Sequence, residues 1–111
     1  MLALRLVAIA CLLAACNDSD VSRSLGARCD ISDECDDRCL RPGPDYPGGM
    51  CTVSCYGSDD CPGGASCADD EGGVCLFRCG GDGDCKFLGD GWLCREHAGS
   101  PDGMVKVCRG A

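Results

Sequence analysis

Cysteine carries most of the reactive chemistry in this chain. Fourteen of the 111 residues are Cys and 17 are Gly, proportions usual in disulfide scaffolds or metal-rich modules. Twelve form one series: Cys29, Cys35, Cys39, Cys51, Cys55, Cys61, Cys67, Cys75, Cys79, Cys85, Cys94 and Cys108. An even number permits complete pairing. Zinc sites usually present C-x2-C pairs, whereas the closest spacing here is C-x3-C, at Cys35/Cys39, Cys51/Cys55 and Cys75/Cys79. A redox-active C-x-x-C is missing as well, and so is a βαβ pattern to carry one. Six disulfides are therefore the expected use. Closing a loop of about 15 residues contributes ~3 kcal/mol in the chain-entropy picture, so six bridges would supply most of the stability.

Carboxylates are the second reactive set. Clusters stand at Asp30, Asp33, Glu34, Asp36 and Asp37; at Asp59 and Asp60; at Asp69, Asp70 and Glu71; and at Asp82 and Asp84. Calcium needs six to eight oxygens from a spaced set such as D-x-D-x-D-G with a distal Glu. Asp33, Asp59, Asp82 and Asp84 are the calcium candidates, but they supply only fragments of such a set, and a solvated acidic surface is the favoured reading. Ser32-Asp33-Glu34 is similar to the calcium loop of the low-density-lipoprotein receptor repeat, although that module's six-cysteine spacing is missing. His97 is the single histidine; with no Ser or Cys in a nucleophile motif, it reads as a surface residue in a loop. No catalytic residues and no cofactor are expected.

The elements that position these groups come as a repeat. The spacings C-x5-C-x3-C-x11-C, C-x5-C-x5-C-x7-C and C-x5-C-x8-C-x13-C mark three four-cysteine units, residues 29–54, 55–78 and 79–111. The residues before each second Cys agree: Ser32-Asp33-Glu34, Ser58-Asp59-Asp60 and Asp82-Gly83-Asp84. Gly48-Gly49 and Gly72-Gly73 precede the last Cys of the first two units. Four cysteines allow three pairings per unit; the expected one is interlaced, first to third and second to fourth: Cys29–Cys39, Cys35–Cys51, Cys55–Cys67, Cys61–Cys75, Cys79–Cys94 and Cys85–Cys108. Frequent Asp-Gly, Pro-Gly and Gly-Gly pairs predict turns. Short β-ribbon strands are expected at residues 49–53, 73–77 and 104–108, and helix only near the N-terminus. The fold class is thus a small disulfide-rich module with little regular secondary structure. Trp92, Phe87 and Leu88 are read as the cap of a small core in the third unit, with an exposed binding patch as the alternative.

The N-terminus reads as an export address. Arg5 supplies a positive start and Leu6 to Leu13 an apolar run, too short for the ~20 residues that span a bilayer. Leu13-Ala14-Ala15-Cys16 resembles the lipobox of bacterial lipoproteins. The resemblance implies removal of residues 1–15, diacylglycerol on the Cys16 thiol and acylation of its amine, hence anchoring to a membrane. Cleavage for plain secretion is the alternative, with the bulky Leu13 at a position where a small side chain is preferred. By the same resemblance Asn17, where inner-membrane lipoproteins often carry Asp, favours the outer membrane. Residues 17–28 are polar and read as a flexible tether with a root-mean-square reach of roughly 20 Å.

From Cys16 onward nine cations face 18 carboxylates, a formal charge of −9, which argues against nucleic acid as partner. The stretch from Cys55 to Cys85 resembles the cysteine-rich repeats of uncharacterised bacterial lipoproteins and is weakly similar to the N-terminal cysteine-rich domain of Dickkopf proteins, with its C-x5-C-x5-C rhythm. Those resemblances imply an extracytoplasmic module that binds a protein partner, without catalysis. Two further readings stay open: a protease inhibitor presenting residues 40–50 with their three prolines, and a calcium-binding repeat.

Overall fold

The computed structural model describes residues 21–101 and 103–111. The expected signal peptide, the lipid-attachment residue Cys16 and residues 17–20 lie outside them.

Three antiparallel two-stranded ribbons follow one another: β1 (Arg38–Leu40) with β2 (Met50–Thr52), β3 (Ala65–Ala68) with β4 (Val74–Phe77), and β5 (Leu93–Ala98) with β6 (Met104–Arg109). Each ribbon carries the third cysteine of its unit on one strand and the fourth on the other. The two stand opposite in register: Cys39 with Cys51, Cys67 with Cys75, Cys94 with Cys108. Directly opposed side chains point to the same face of a ribbon, so both sulfurs face the segment that carries the first two cysteines. That segment is a 3-10 turn in every unit: Ser32–Glu34, Ser58–Asp60 and Asp82–Leu88.

Six disulfides close the units: Cys29–Cys39, Cys35–Cys51, Cys55–Cys67, Cys61–Cys75, Cys79–Cys94 and Cys85–Cys108. Their Cα–Cα distances run from 5.3 to 6.0 Å, within the span a disulfide bridges. In each unit the two bonds pin one 3-10 turn across one ribbon.

The core is small and half sulfur. Leu25, Leu40, Tyr46, Met50, Val74, Leu76, Leu88, Trp92 and Val107 form one buried cluster with Cys55, Cys67, Cys75, Cys85 and Cys108. Cys29, Cys35, Cys39 and Cys51 make a second. Neighbouring units join through backbone. The Cys75 amide donates to the Val53 carbonyl at 3.1 Å, Asp69 to Ala98 at 2.8 Å, and Ser100 to Cys67 at 3.0 Å. The Thr52 hydroxyl donates to the Cys75 carbonyl at 2.6 Å.

Three expectations need correction. The tether does not extend to residue 28. The Gly26 amide donates to the Cys51 carbonyl at 2.9 Å, the Cys51 amide to Ala27 at 2.7 Å and the Asp36 amide to Arg23 at 2.9 Å, while Leu25 is buried. One leucine among polar residues found a core to fill, and the backbone beside it paired with β2. Helical structure is also present beyond the N-terminus, as the three 3-10 turns. Finally, His97 lies on β5 opposite Val105, not in a loop.

Candidate functional site

The acidic motif before each second cysteine has a structural job. Glu34 accepts hydrogen bonds from the amides of Asp30 (2.8 Å) and Ile31 (3.2 Å). Asp60 accepts from Tyr56 (2.8 Å) and Gly57 (3.2 Å), and Asp84 from Gly80 (2.8 Å) and Gly81 (3.2 Å). In every unit, therefore, the acid closes the turn that follows the first cysteine. The residue two places earlier reaches across to the ribbon: Ser32 accepts from the Cys39 amide (3.2 Å), Ser58 from Cys67 (3.1 Å) and Asp82 from Cys94 (2.9 Å). The amides of Asp30 and Ile31, with Arg23 adding to them, hold the Glu34 carboxyl below its ordinary value of 4.5, as expected of a carboxylate that accepts amide bonds.

Of the calcium candidates, Asp82 and Asp84 are thus committed to backbone amides, and Asp33 and Asp59 stand exposed in different units. Among the described residues, the groups whose potential metal ligands converge are cysteines alone: Cys29/Cys35/Cys39, Cys55/Cys61/Cys75 and Cys79/Cys85/Cys108. All of these sulfurs are consumed in disulfides.

A polar cluster that the sequence did not single out sits where the three units meet. The Tyr46 hydroxyl of the first unit donates to the Asp70 carboxylate of the second. Arg109 of the third unit donates to the same carboxylate at 3.1 Å, lies 3.8 Å from Asp45, and holds its guanidinium carbon 5.3 Å from the centre of the Tyr46 ring. His97 completes the cluster, with Nδ1 3.1 Å from Arg109 and Nε2 3.2 Å from the Asp69 carbonyl. These contacts suit the neutral ring with its proton on Nε2, so that Arg109 donates to Nδ1 and Nε2–H donates to the carbonyl. Burial pushes the Tyr46 phenol well above its ordinary range; its bond to Asp70 adds to the shift and Arg109 opposes it. A phenol held protonated, a paired carboxylate and an arginine engaged four ways form a bracing network. His97 has both nitrogens occupied.

Trp92 belongs to the same junction. Its indole N–H donates to the Pro47 carbonyl at 2.8 Å, its ring lies 6.2 Å from that of Tyr46, and it is 3% exposed. Trp92 and Leu88 therefore pack inside, across the boundary to the first unit. Phe87 differs: it is 46% exposed and meets Phe77 edge to face at 5.0 Å.

The segment 40–50, the candidate inhibitor loop, is pinned. Leu40, Tyr46 and Met50 are buried, Gly43 and Tyr46 exchange backbone hydrogen bonds at 3.2 and 3.3 Å, and the Gly110 amide donates to the Asp45 carbonyl at 2.7 Å. What remains exposed, Arg41 to Asp45, is a tight bend. An inhibitor that adds a strand to a protease cleft presents extended backbone instead. Beside it, Arg28, Cys29, Asp30, Glu34, Pro42 and Gly48 line an open concavity of about 420 Å³. Its Glu34 is already committed to the turn.

No protein family, curated protein or solved structure matches the chain.

Proposed function

We propose that the mature protein is a lipoprotein of a bacterial cell envelope, acylated on Cys16 and favouring the outer membrane, whose module serves as a non-enzymatic interaction or structural element for a protein partner. The observation that supports this most is the agreement of two independent features. Six disulfides need an oxidising compartment to form and persist. The N-terminal apolar run ending in Leu13-Ala14-Ala15-Cys16 is the address that would deliver the chain to one. Two or three acyl chains suffice for stable anchoring, whereas one binds only marginally. The body behind the anchor is stapled within each unit and braced between units, a design suited to presenting a fixed surface outside the cell's reducing interior.

Intact mass of the natively purified protein, before and after reduction, tests this. The expected species begins at Cys16, carries acyl mass that a Cys16→Ser change abolishes, and gains two hydrogens for each of six bridges on reduction. A chain that starts at Met1 without fatty acid would refute the anchoring.

A further inference from the structure

We infer that the edge formed by Val21, Phe77 and Phe87 rests on the lipid bilayer to which Cys16 is attached, so that the module lies against the membrane in a fixed orientation. This rests on the lipid anchor proposed above.

The argument begins with reach. Because residues 21–28 are docked on the body, only residues 17–20 separate Cys16 from Val21. Five backbone steps span at most ~18 Å when fully extended, and about 12 Å as a coil. A lipidated Cys16 sits at the bilayer surface, so the Val21 corner of the body is confined to within that distance of it. Contacts too weak to recruit a free protein become populated at the high effective concentration such a short tether imposes.

The residues at that corner are the ones a bilayer would accept. A Cβ placed on Gly26 would stand 3.0 Å from the Phe77 ring and 3.4 Å from the Val21 Cα, so Val21 and Phe77 flank the same glycine. Phe87 packs edge to face on Phe77. Val21 is 38% and Phe87 46% exposed, although in a chain with so few large apolar residues both could have been spent on the core. Cations stand near them, alongside Asp18 and Asp20 in the sequence before Val21 and the exposed Asp90. Lys86 precedes Phe87, Arg78 follows Phe77, and the Arg28 guanidinium stands over Gly89. Among the described residues none of these three cations is in an ion pair, as is also true of Arg41, Arg95 and Lys106, and Arg78 donates to the Ala65 carbonyl at 3.4 Å. The carboxylates of the adjoining turn, Asp82 and Asp84, are turned to backbone amides. Apolar rings with cations nearby suit an interface of acyl chains and anionic headgroups.

The test uses full-length protein, processed and acylated in the producing cell and reconstituted in phosphatidylethanolamine and phosphatidylglycerol vesicles, with and without brominated phosphatidylcholine as a quencher. Phe87→Trp places a reporter on the proposed edge. Tyr56→Trp places one at a residue that is 90% exposed in the second unit, and wild type supplies the buried Trp92 background. Mass spectrometry checks each variant for six bridges and for acyl chains. The expected result is loss of emission from Phe87→Trp in brominated vesicles, with Tyr56→Trp no more quenched than wild type. An acylated Phe87→Trp protein that escapes quenching would overturn the bilayer contact while leaving the anchor intact. The same escape with blue-shifted emission would overturn it in favour of a protein covering the edge. Finding no acyl chains at all would remove both.

Discussion

A carboxylate one place before a half-cystine looks at first like surface charge. In this chain Glu34, Asp60 and Asp84 each accept two backbone amides and so hold the first two cysteines of a unit in the arrangement their partners require. Hydrogen bonding to the ionised form lowers a carboxyl's pKa, and the amides of Asp30 and Ile31 do this to Glu34. The sign of the pH effect follows. A carboxyl whose pKa is lower folded than unfolded lends stability that is fully present above the unfolded value and is lost as pH falls through the folded one. Wild type is therefore expected to exceed Glu34→Gln in stability at neutral pH, and the gap should shrink as pH falls below the ordinary glutamate value of 4.5. Denaturant unfolding of both proteins, bridges intact, at a series of pH values checks this. A gap that stayed constant through the acid range would mean that Glu34 acts by shape and not by charge.

At the scale of the elements, the ribbon is where cysteine geometry is decided, and glycine decides the ribbon. Gly73 has φ +102° and its Cα hydrogen faces the Cys55 carbonyl so closely that a Cβ would collide with it; Gly49, at φ +76°, stands in the same relation to Cys29. Each is two residues before the last cysteine of its unit. Left-handed backbone costs an L-residue about 1–2 kcal/mol, and the collision adds to it, so Gly73→Ala is expected to destabilise by at least that amount. Gly63→Ala, with ordinary φ and open space around it, should change stability by no more than about 0.5 kcal/mol. Thermal unfolding of the oxidised variants compares them. The third unit carries Lys106 at the equivalent place, where its carbonyl accepts the Cys79 amide at 3.1 Å as the Gly73 carbonyl accepts the Cys55 amide at 3.0 Å, so the hydrogen bond does not require glycine and the glycine answers a local crowding. This contrast shows what sequence alone could convey. Strands around Cys51, Cys75 and Cys108 were readable because strand-tolerant residues flank a fixed cysteine. The 3-10 turns were not, since short runs of Ser, Asp, Glu and Gly before a cysteine have no periodicity to distinguish them from a loop. Leu25 gave no sign of docking because a single apolar residue forms no pattern; its burial depends on a cavity that other units create. Cysteine spacing left three pairings open per unit, and the register of the ribbon is what orients the third and fourth sulfurs toward the turn.

The whole molecule raises a question of what keeps three stapled units in one arrangement, because every disulfide among the described residues lies within a unit. Between units, the described residues offer buried side chains, a few backbone and side-chain hydrogen bonds, the Arg38–Glu71 ion pair and the cluster of Tyr46, Asp70, His97 and Arg109. Tyr46 and Asp70 are 24 residues apart, and Asp70 and Arg109 are 39, which is why no local motif announced the cluster. Removing one partner from such a network leaves others buried and unsatisfied, at about 1–3 kcal/mol. Tyr46→Phe and Arg109→Met each strip one donor from Asp70, so their effects should be coupled, with an interaction energy of about 0.5–3 kcal/mol in a double-mutant cycle. The location of the loss is the sharper expectation. Covalent bridges continue to hold each ribbon, so hydrogen exchange in Arg109→Met should accelerate first at amides that cross between units, those of Asp69, Cys75 and Ser100. The other amides of β3 and β4 should keep their protection. Faster exchange spread evenly over all three ribbons would instead mean that the units melt as one, and that the sulfur staples alone do not make a unit stand.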